Sequence, residues 1–228
     1  MRAQACDVSS QADVARLFEF AGECQTIGGL IHAAGVIAPV GGILDVDPAA
    51  WWETVKINLF GTFLVVRDAA ARMRASGGGR IVVLSGGGAS NPFPNFTAYA
   101  AGKVAVVRFV ETAAIEFAPF GVEINALAPG FVATRMHAET LAAGPAAAGP
   151  DFFERTKQEL ERGGVSPDVG AKAAAFLLSG AAQGITGKFI AAQWDGYEGW
   201  PDHLEELRGS DLFTLRRVMP KDRGLPWQ

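Results

Sequence analysis

The chain has 228 residues, 49% of them hydrophobic and 19% charged, with a formal net charge of −4, which suits one domain with a sizeable core and no affinity for nucleic acid. No apolar run approaches the roughly 18 residues that span a bilayer, and the first four residues lack the apolar core of a signal peptide, so we expect neither a membrane segment nor export. The two cysteines, Cys6 and Cys24, make neither a disulfide framework nor a metal site, and they favour a reduced, cytoplasmic setting.

Strand and helix patterns alternate along the chain. In order they are a strand end at 5–8, a helix after Ser10, a strand at 29–35, a helix from Asp47 to about residue 73, a strand at 80–84, a helix at 97–117, a strand at 122–127, helices at 151–162 and 166–178, and a strand at 188–192. This alternation predicts an α/β fold, a Rossmann-like doubly wound parallel sheet in three α/β/α layers. Ligands of such sheets bind at the carboxyl ends of the strands.

The strongest chemical signal is Tyr99 followed four residues later by Lys103 on the helix at 97–117. At this spacing both side chains share one face of the helix. A nearby ammonium group favours the phenolate and lowers the phenol pKa from its reference value near 10. The pair then suits proton exchange with a carbonyl or an alcohol. A tyrosine and a lysine at this spacing are also a common structural pair, so the assignment depends on the motifs around them.

Five motifs in register resemble the short-chain dehydrogenase/reductase family, over nearly the whole chain up to Asp195. They are Asp7-Val8 at a strand end, the turn His32-Ala33-Ala34-Gly35, Asn58 in a helix, the Tyr99 and Lys103 pair, and the loop Pro129-Gly130-Phe131-Val132-Ala133-Thr134. The resemblance implies hydride transfer between a nicotinamide cofactor, NAD or NADP, and a secondary alcohol or ketone. The cofactor does the difficult step, and the protein orients it and supplies the proton.

The resemblance also implies a role for each matched residue. Tyr99 exchanges the proton with the substrate oxygen, Lys103 lowers the pKa of Tyr99 and holds the nicotinamide ribose, and Asn58 positions a water that relays protons to solvent. The cofactor-binding residues implied beside Tyr99 and Lys103 are Asp7, Val8, Ala33, Ala34, Gly35, Pro129, Gly130, Val132 and Thr134. No metal is implied, and His32 is expected to be a hydrogen-bonded structural histidine.

One departure concerns the serine that the family places thirteen positions before the tyrosine, because here that position is Gly86. We expect Ser85 to take the role through a one-residue difference in the loop. The alternative is that Ser85 only caps the strand end. Gly86 also leaves open a different reaction on the same scaffold, such as dehydration or epimerisation.

The second departure is the family's opening strand and its glycine-rich phosphate turn, since no Gly-x-x-x-Gly-x-Gly occurs in the sequence. We therefore expect residues 1–195 to form a truncated Rossmann-type catalytic domain that lacks its first βαβ unit, and the sequence to be a truncated or mis-started product of a longer gene. The segment at 5–8 would have no neighbouring strand, and the edge of the strand at 30–33 would be exposed. A second hypothesis is a catalytically silent chain with a structural or partner role.

Three further segments complete the prediction. Residues 136–164 are expected to form a mobile lid over an apolar substrate. Residues 196–228 are expected to be an extension packed on the same domain or on a neighbouring subunit, with a helix at 202–208 and a strand at 212–218. The resemblance implies a homodimer or homotetramer, and the adjacent Trp51 and Trp52 are assigned to the interface or the core.

Overall fold

Four parallel strands form one sheet in the computed structural model, which describes residues 2–23 and 26–227. Cys24 lies outside the described residues. The strands are β1 (Gly29–His32), β2 (Gly79–Leu84), β3 (Val122–Ala128) and β4 (Phe189–Ala191), and they lie side by side in chain order. All three pairings are parallel. The predicted α/β class with a parallel sheet is therefore confirmed.

Helices connect the strands and cover both faces of the sheet. They are α1 (Gln11–Gly22), α2 (Pro48–Val55), α3 (Gly61–Ala75), α4 (Thr97–Phe117), α5 (Arg135–Ala148), α6 (Pro150–Glu161), α7 (Pro167–Leu178) and α8 (Leu204–Gly209). Side-chain caps explain where two of these helices begin. The side chain of Ser10 accepts a hydrogen bond from the backbone N–H of Asp13 at the start of α1, and that of Asp47 accepts hydrogen bonds from two backbone N–H groups in the first turn of α2. Among the described residues, no helix is both long and apolar enough to cross a bilayer.

The core lies in two layers, because successive residues of a strand face opposite sides of the sheet. Ile81 and Val83 of β2 face the layer that contains α1, α3 and α4, whereas Val82 between them packs with Leu177 of α7 and with Ile190. All of these side chains are at most 2% exposed. The three-layer α/β/α arrangement follows from this alternation.

The predicted strand end at 5–8 is wrong, since these residues form no strand. They have no neighbouring strand to pair with, and their polar groups are used in a turn before α1 instead. The carboxylate of Asp7 accepts hydrogen bonds from the backbone N–H and the hydroxyl of Ser9, at 2.9 and 2.8 Å. The expected exposed edge is present, because β1 pairs with β2 alone among the described residues and Ile31 is 49% exposed.

The segment after β4 packs onto the second layer of the core. Tyr197, Trp200 and Leu207 are buried there, and the ring of Phe213 lies 4.2 Å from that of Trp200. The predicted strand at 212–218 is wrong, because Phe213 has a φ of 57°, which an extended strand does not allow. Its carbonyl oxygen nevertheless accepts a hydrogen bond from the backbone N–H of Phe189 in β4, at 2.8 Å. The division at residue 195 into a domain and an extension stays a prediction.

Candidate functional site

A cleft of about 1630 Å³ opens at the carboxyl ends of the strands. Most of the residues expected to bind the cofactor or substrate line it. They are Ala33, Gly35, Ser85, Tyr99, Lys103, Pro129, Gly130, Val132 and Thr134. In the described part of the chain, Asp7, Val8, Ala34 and Asn58 are not among the lining residues. The topology therefore brings together motifs spread over about 100 residues, at the place that parallel sheets use for ligands.

Helix α4 presents Tyr99 and Lys103 to this cleft one turn apart. Lys103 is only 5% exposed, and its Nζ donates a hydrogen bond of 2.9 Å to the carbonyl oxygen of Leu84 at the end of β2. The same Nζ lies 5.8 Å from the centre of the Tyr99 ring. Lys103 is thus held by the strand end, one helical turn from the phenol.

Asn58 lies directly behind this pair, in a π-helical segment, Lys56–Phe60, that joins α2 to α3. It is fully buried, and its amide makes a two-point contact with the backbone of Val36: Oδ1 accepts from the N–H at 2.9 Å and Nδ2 donates to the carbonyl oxygen at 2.8 Å. A Cβ built on Gly35 would lie 3.1 Å from Asn58 Oδ1 and 3.4 Å from Lys103 Nζ. Asn58, the loop after β1 and Lys103 therefore meet at one point.

Gly86 occupies the position of the missing serine, and Ser85 directly precedes it. A Cβ built on Gly86 would lie 2.6 Å from the Tyr99 hydroxyl oxygen, so this hydroxyl occupies the space that any side chain at position 86 would need. Ser85 is 5% exposed, and its hydroxyl donates to the backbone carbonyl oxygen of Lys103 at 3.3 Å. This contact ties the end of β2 to α4. The predicted contact of Ser85 with the substrate oxygen stays a prediction.

The protonation states of the site follow from burial. Loss of solvent raises the pKa of Tyr99 to about 12 and lowers the pKa of Lys103 to about 8. The lowered phenol pKa expected from the sequence is therefore not found, because burial raises the pKa of Tyr99. At neutral pH, Tyr99 is a neutral phenol beside a cationic lysine, which suits a proton donor.

His32, at the end of β1, has a pKa lowered to about 4, first by burial and then by the charge of Lys103. Its Nε2 is buried and has no hydrogen-bond partner among the described residues. The expectation of a hydrogen-bonded structural histidine is therefore wrong for this atom.

Sequence reasoning missed several residues of the cleft. His137 lines it, with its ring 3.7 Å from that of Phe131, and Trp194, which is 79% exposed, stands at its rim. The segment expected to be a lid contains α5, which is interrupted by non-helical dihedral angles at Gly144, and α6, which contributes Arg155. The mobility of this segment stays a prediction. These contributions depend on which face each element turns toward the cleft, and a residue pattern alone does not contain that information.

Comparisons with known proteins agree on one group. A family model described as enoyl-(acyl carrier protein) reductase matches residues 1–194. The chain is similar to 2-(S)-hydroxypropyl-CoM dehydrogenase 3 of Xanthobacter autotrophicus, 33% identical over 188 residues, which are 81% of this chain and 72% of that one. It is also similar to dehydrogenase/reductase SDR family member 4 of Homo sapiens, 35% identical over 105 residues, 46% of this chain and 38% of that one. A solved gluconate 5-dehydrogenase from Burkholderia cenocepacia, in complex with NADP and tartrate, superposes with a TM-score of 0.69 at 26% identity, covering 81% of this chain and 71% of that one.

Proposed function

Since the chain belongs to the short-chain dehydrogenase/reductase family, we propose that it transfers a hydride between a nicotinamide cofactor, NAD or NADP, and a secondary alcohol or ketone. The proposal is carried by the meeting of Tyr99, Lys103 and Asn58 at the carboxyl ends of the strands, around one cleft. The similarity to dehydrogenases, one of them solved with NADP, supports it.

The cleft has room for the nicotinamide end of the cofactor. Gly35 and Gly130 keep its wall free of side chains: a Cβ on Gly35 would come within 3.4 Å of Lys103 Nζ, and one on Gly130, whose φ is 92°, within 3.1 Å of Gln193 Oε1. Lys103 would bind the ribose, and Val132 and Thr134 the carboxamide. When bound, the nicotinamide supplies or accepts the hydride. Contacts of Asp7, Val8 and Ala34 with the cofactor stay a prediction.

The protein's own contribution is the proton. With its pKa near 12, Tyr99 keeps its proton at pH 7 and donates it to the oxygen of a ketone as that oxygen gains negative charge. Lys103, with a pKa near 8, is cationic at pH 7 and stabilises the phenolate that remains. Asn58 holds the loop after β1 against Lys103 through Val36, which fixes the back of the site. Positioning of a relay water by Asn58 is part of the proposal.

The test is replacement of Tyr99 by Phe, which removes the hydroxyl and keeps the ring that packs 6.1 Å from Phe93. Ketone reduction with NADH or NADPH should fall about 100-fold or more, and the thermal midpoint should stay the same. The matched control is Tyr197→Phe, because Tyr197 is the other of the chain's two tyrosines and lies in the second core layer. Equal activities of the Tyr99→Phe and Tyr197→Phe variants would refute the proposal.

A second candidate function is a catalytically silent chain with a structural or partner role. It is favoured by one observation: Asp7, Val8 and Ala34, three of the residues expected to bind the cofactor, do not line the cleft. Isothermal titration with NADH and with NADPH separates the two. Binding of either cofactor supports the enzyme, whereas heat signals equal to buffer for both support the silent chain.

We further propose that the protein is cytoplasmic and associates with copies of itself. Trp52, Phe60 and Phe63 are 61%, 44% and 38% exposed along the α2 and α3 stretch, whereas Trp51 turns inward and donates from Nε1 to the hydroxyl of Thr97 at 3.0 Å. Large exposed aromatic side chains of this kind are enriched at interfaces between subunits. Sedimentation analysis should therefore find a homodimer or homotetramer.

A further inference from the structure

Helix α6 turns one narrow face toward the cleft. Phe152, Arg155 and Glu159 line the cleft at helical spacings of three and four residues. The ring of Phe152 is locked in place by aromatic contacts, 4.8 Å from that of Phe93 and 5.1 Å from that of Phe96. Phe96 is fully buried, so this anchor fixes which face of α6 looks into the cleft. Arg155, one turn further on, is therefore directed there by packing.

Arg155 is a cation that has no partner in the part of the chain that the structure describes. Glu159 on the same face pairs with Arg162 at 3.8 Å, and Arg135 at the start of α5 pairs within its own helix at 3.2 Å. Asp151, one turn before Arg155, also lines the cleft without pairing with it. It lies in the first turn of α6, where the helix dipole already stabilises a negative charge. The guanidinium of Arg155 is thus left available to a ligand.

We propose that Arg155 binds an anionic group of the substrate, a carboxylate, sulfonate or phosphate carried at a distance from the reacting carbon. The reacting end is set by the proposed function, since the substrate oxygen lies at Tyr99. Two aromatic contacts connect Tyr99 to α6. The ring centroids of Tyr99 and Phe93 lie 6.1 Å apart, and those of Phe93 and Phe152 lie 4.8 Å apart. The substrate class is therefore an oxo acid or hydroxy acid whose two polar ends are joined by an apolar segment.

The rest of the cleft wall suits such a molecule. Many of its side chains are apolar, among them Ile37, Phe93, Phe131, Val132, Met136, Phe152, Val165, Phe189 and Trp194. Arg155 itself is exposed, and its planar guanidinium can hold an oxyanion with two parallel, charge-assisted N–H groups. Such a contact corresponds to an affinity gain of roughly 10- to 100-fold over a neutral group of the same shape.

Binding is tested on the full chain without cofactor, so that its result does not depend on hydride transfer. Isothermal titration compares octanoate with octanamide, which have the same length and differ in charge. We expect octanoate to bind at least about 10-fold more tightly, and Arg155→Gln to abolish this preference. The matched control is Lys157→Gln on the same helix, because Lys157 is exposed, is not among the lining residues and carries the same charge. It should keep the preference.

A second arm measures turnover of 7-oxooctanoate and its methyl ester. The acid should have the higher kcat/KM in the native chain, and Arg155→Gln should lower that of the acid while leaving the ester unchanged. The inference is overturned by equal affinity for octanoate and octanamide, by binding of neither, by a preference that survives Arg155→Gln, or by one that both variants lose alike. Reduction of the ester without any preference for acids would overturn the inference and leave the proposed function standing. Acid-selective binding without turnover would overturn the proposed function and leave the inference standing.

Discussion

His32 should make the stability of the folded chain depend on pH between about 4 and 6.5. Its side chain is 5% exposed, and burial together with the charge of Lys103 lowers its pKa to about 4, against about 6.5 for an unfolded histidine. Between these two values the unfolded chain binds more protons than the folded chain, so the free energy of unfolding falls as the pH falls. At pH 5 the loss from this one group is about 2 kcal/mol.

The assay is urea unfolding of the native chain and of His32→Asn at pH 7 and pH 5. Carboxylates contribute to the pH dependence of both proteins, so the quantity of interest is the difference between them. The native chain should lose about 2 kcal/mol more than the variant on going from pH 7 to pH 5. His203→Asn serves as the control, because the side chain of His203 is 65% exposed, and it should behave as the native chain does. Identical losses in the native chain and in His32→Asn would refute the reasoning.

Three further predictions concern the site and the carboxyl-terminal segment. Gly86→Ser should lower ketone reduction by about 100-fold, because the new Cβ would lie 2.6 Å from the Tyr99 hydroxyl and displace it; an unchanged kcat would contradict this. Ketone reduction should be level between pH 6 and 7 and fall through pH 8, because Lys103 loses its proton near pH 8 while Tyr99 keeps its own to about pH 12. In Lys103→Arg a pH profile should show the fall at higher pH. Phe213→Ala should lower the free energy of unfolding by about 2 kcal/mol in urea titrations through the lost contact with Trp200, and a smaller change than 0.5 kcal/mol would count against it.

Features of the fold that depend on local chemistry could be predicted from the sequence. The helix at 97–117 has the predicted bounds, and the starts at Ser10 and Asp47 follow from side chains that cap their own first turn. The prediction of a strand at 5–8 is wrong because a strand needs a neighbouring strand to pair with, and a local residue pattern does not show whether one is present. The prediction of a strand at 212–218 is wrong because Phe213 adopts a left-handed conformation, which the residue pattern does not indicate.

The same distinction between local and tertiary features applies to the candidate site. Tyr99 and Lys103 share a helix face by their spacing alone, so their proximity could be predicted. The amide of Asn58, by contrast, contacts Val36, which is 22 residues away along the chain, and the raised pKa of Tyr99 comes from the burial that such tertiary contacts create. Arg155 was missed for the same reason, because only packing decides that its side of α6 looks into the cleft.

The two edge strands of the sheet differ, because only one of them is open to pairing with a further strand. At β4 the main chain of Phe213 occupies the border, held there also by Lys188, whose Nζ donates to the carbonyl oxygen of Leu212 at 2.9 Å. At β1, within the residues described, no such cover is found, and half of Ile31 faces solvent. Any additional strand, whether fused to the chain or supplied by another molecule, would therefore pair with β1. A label attached near Phe213 would disturb the contact that covers β4 and expose that edge of the sheet.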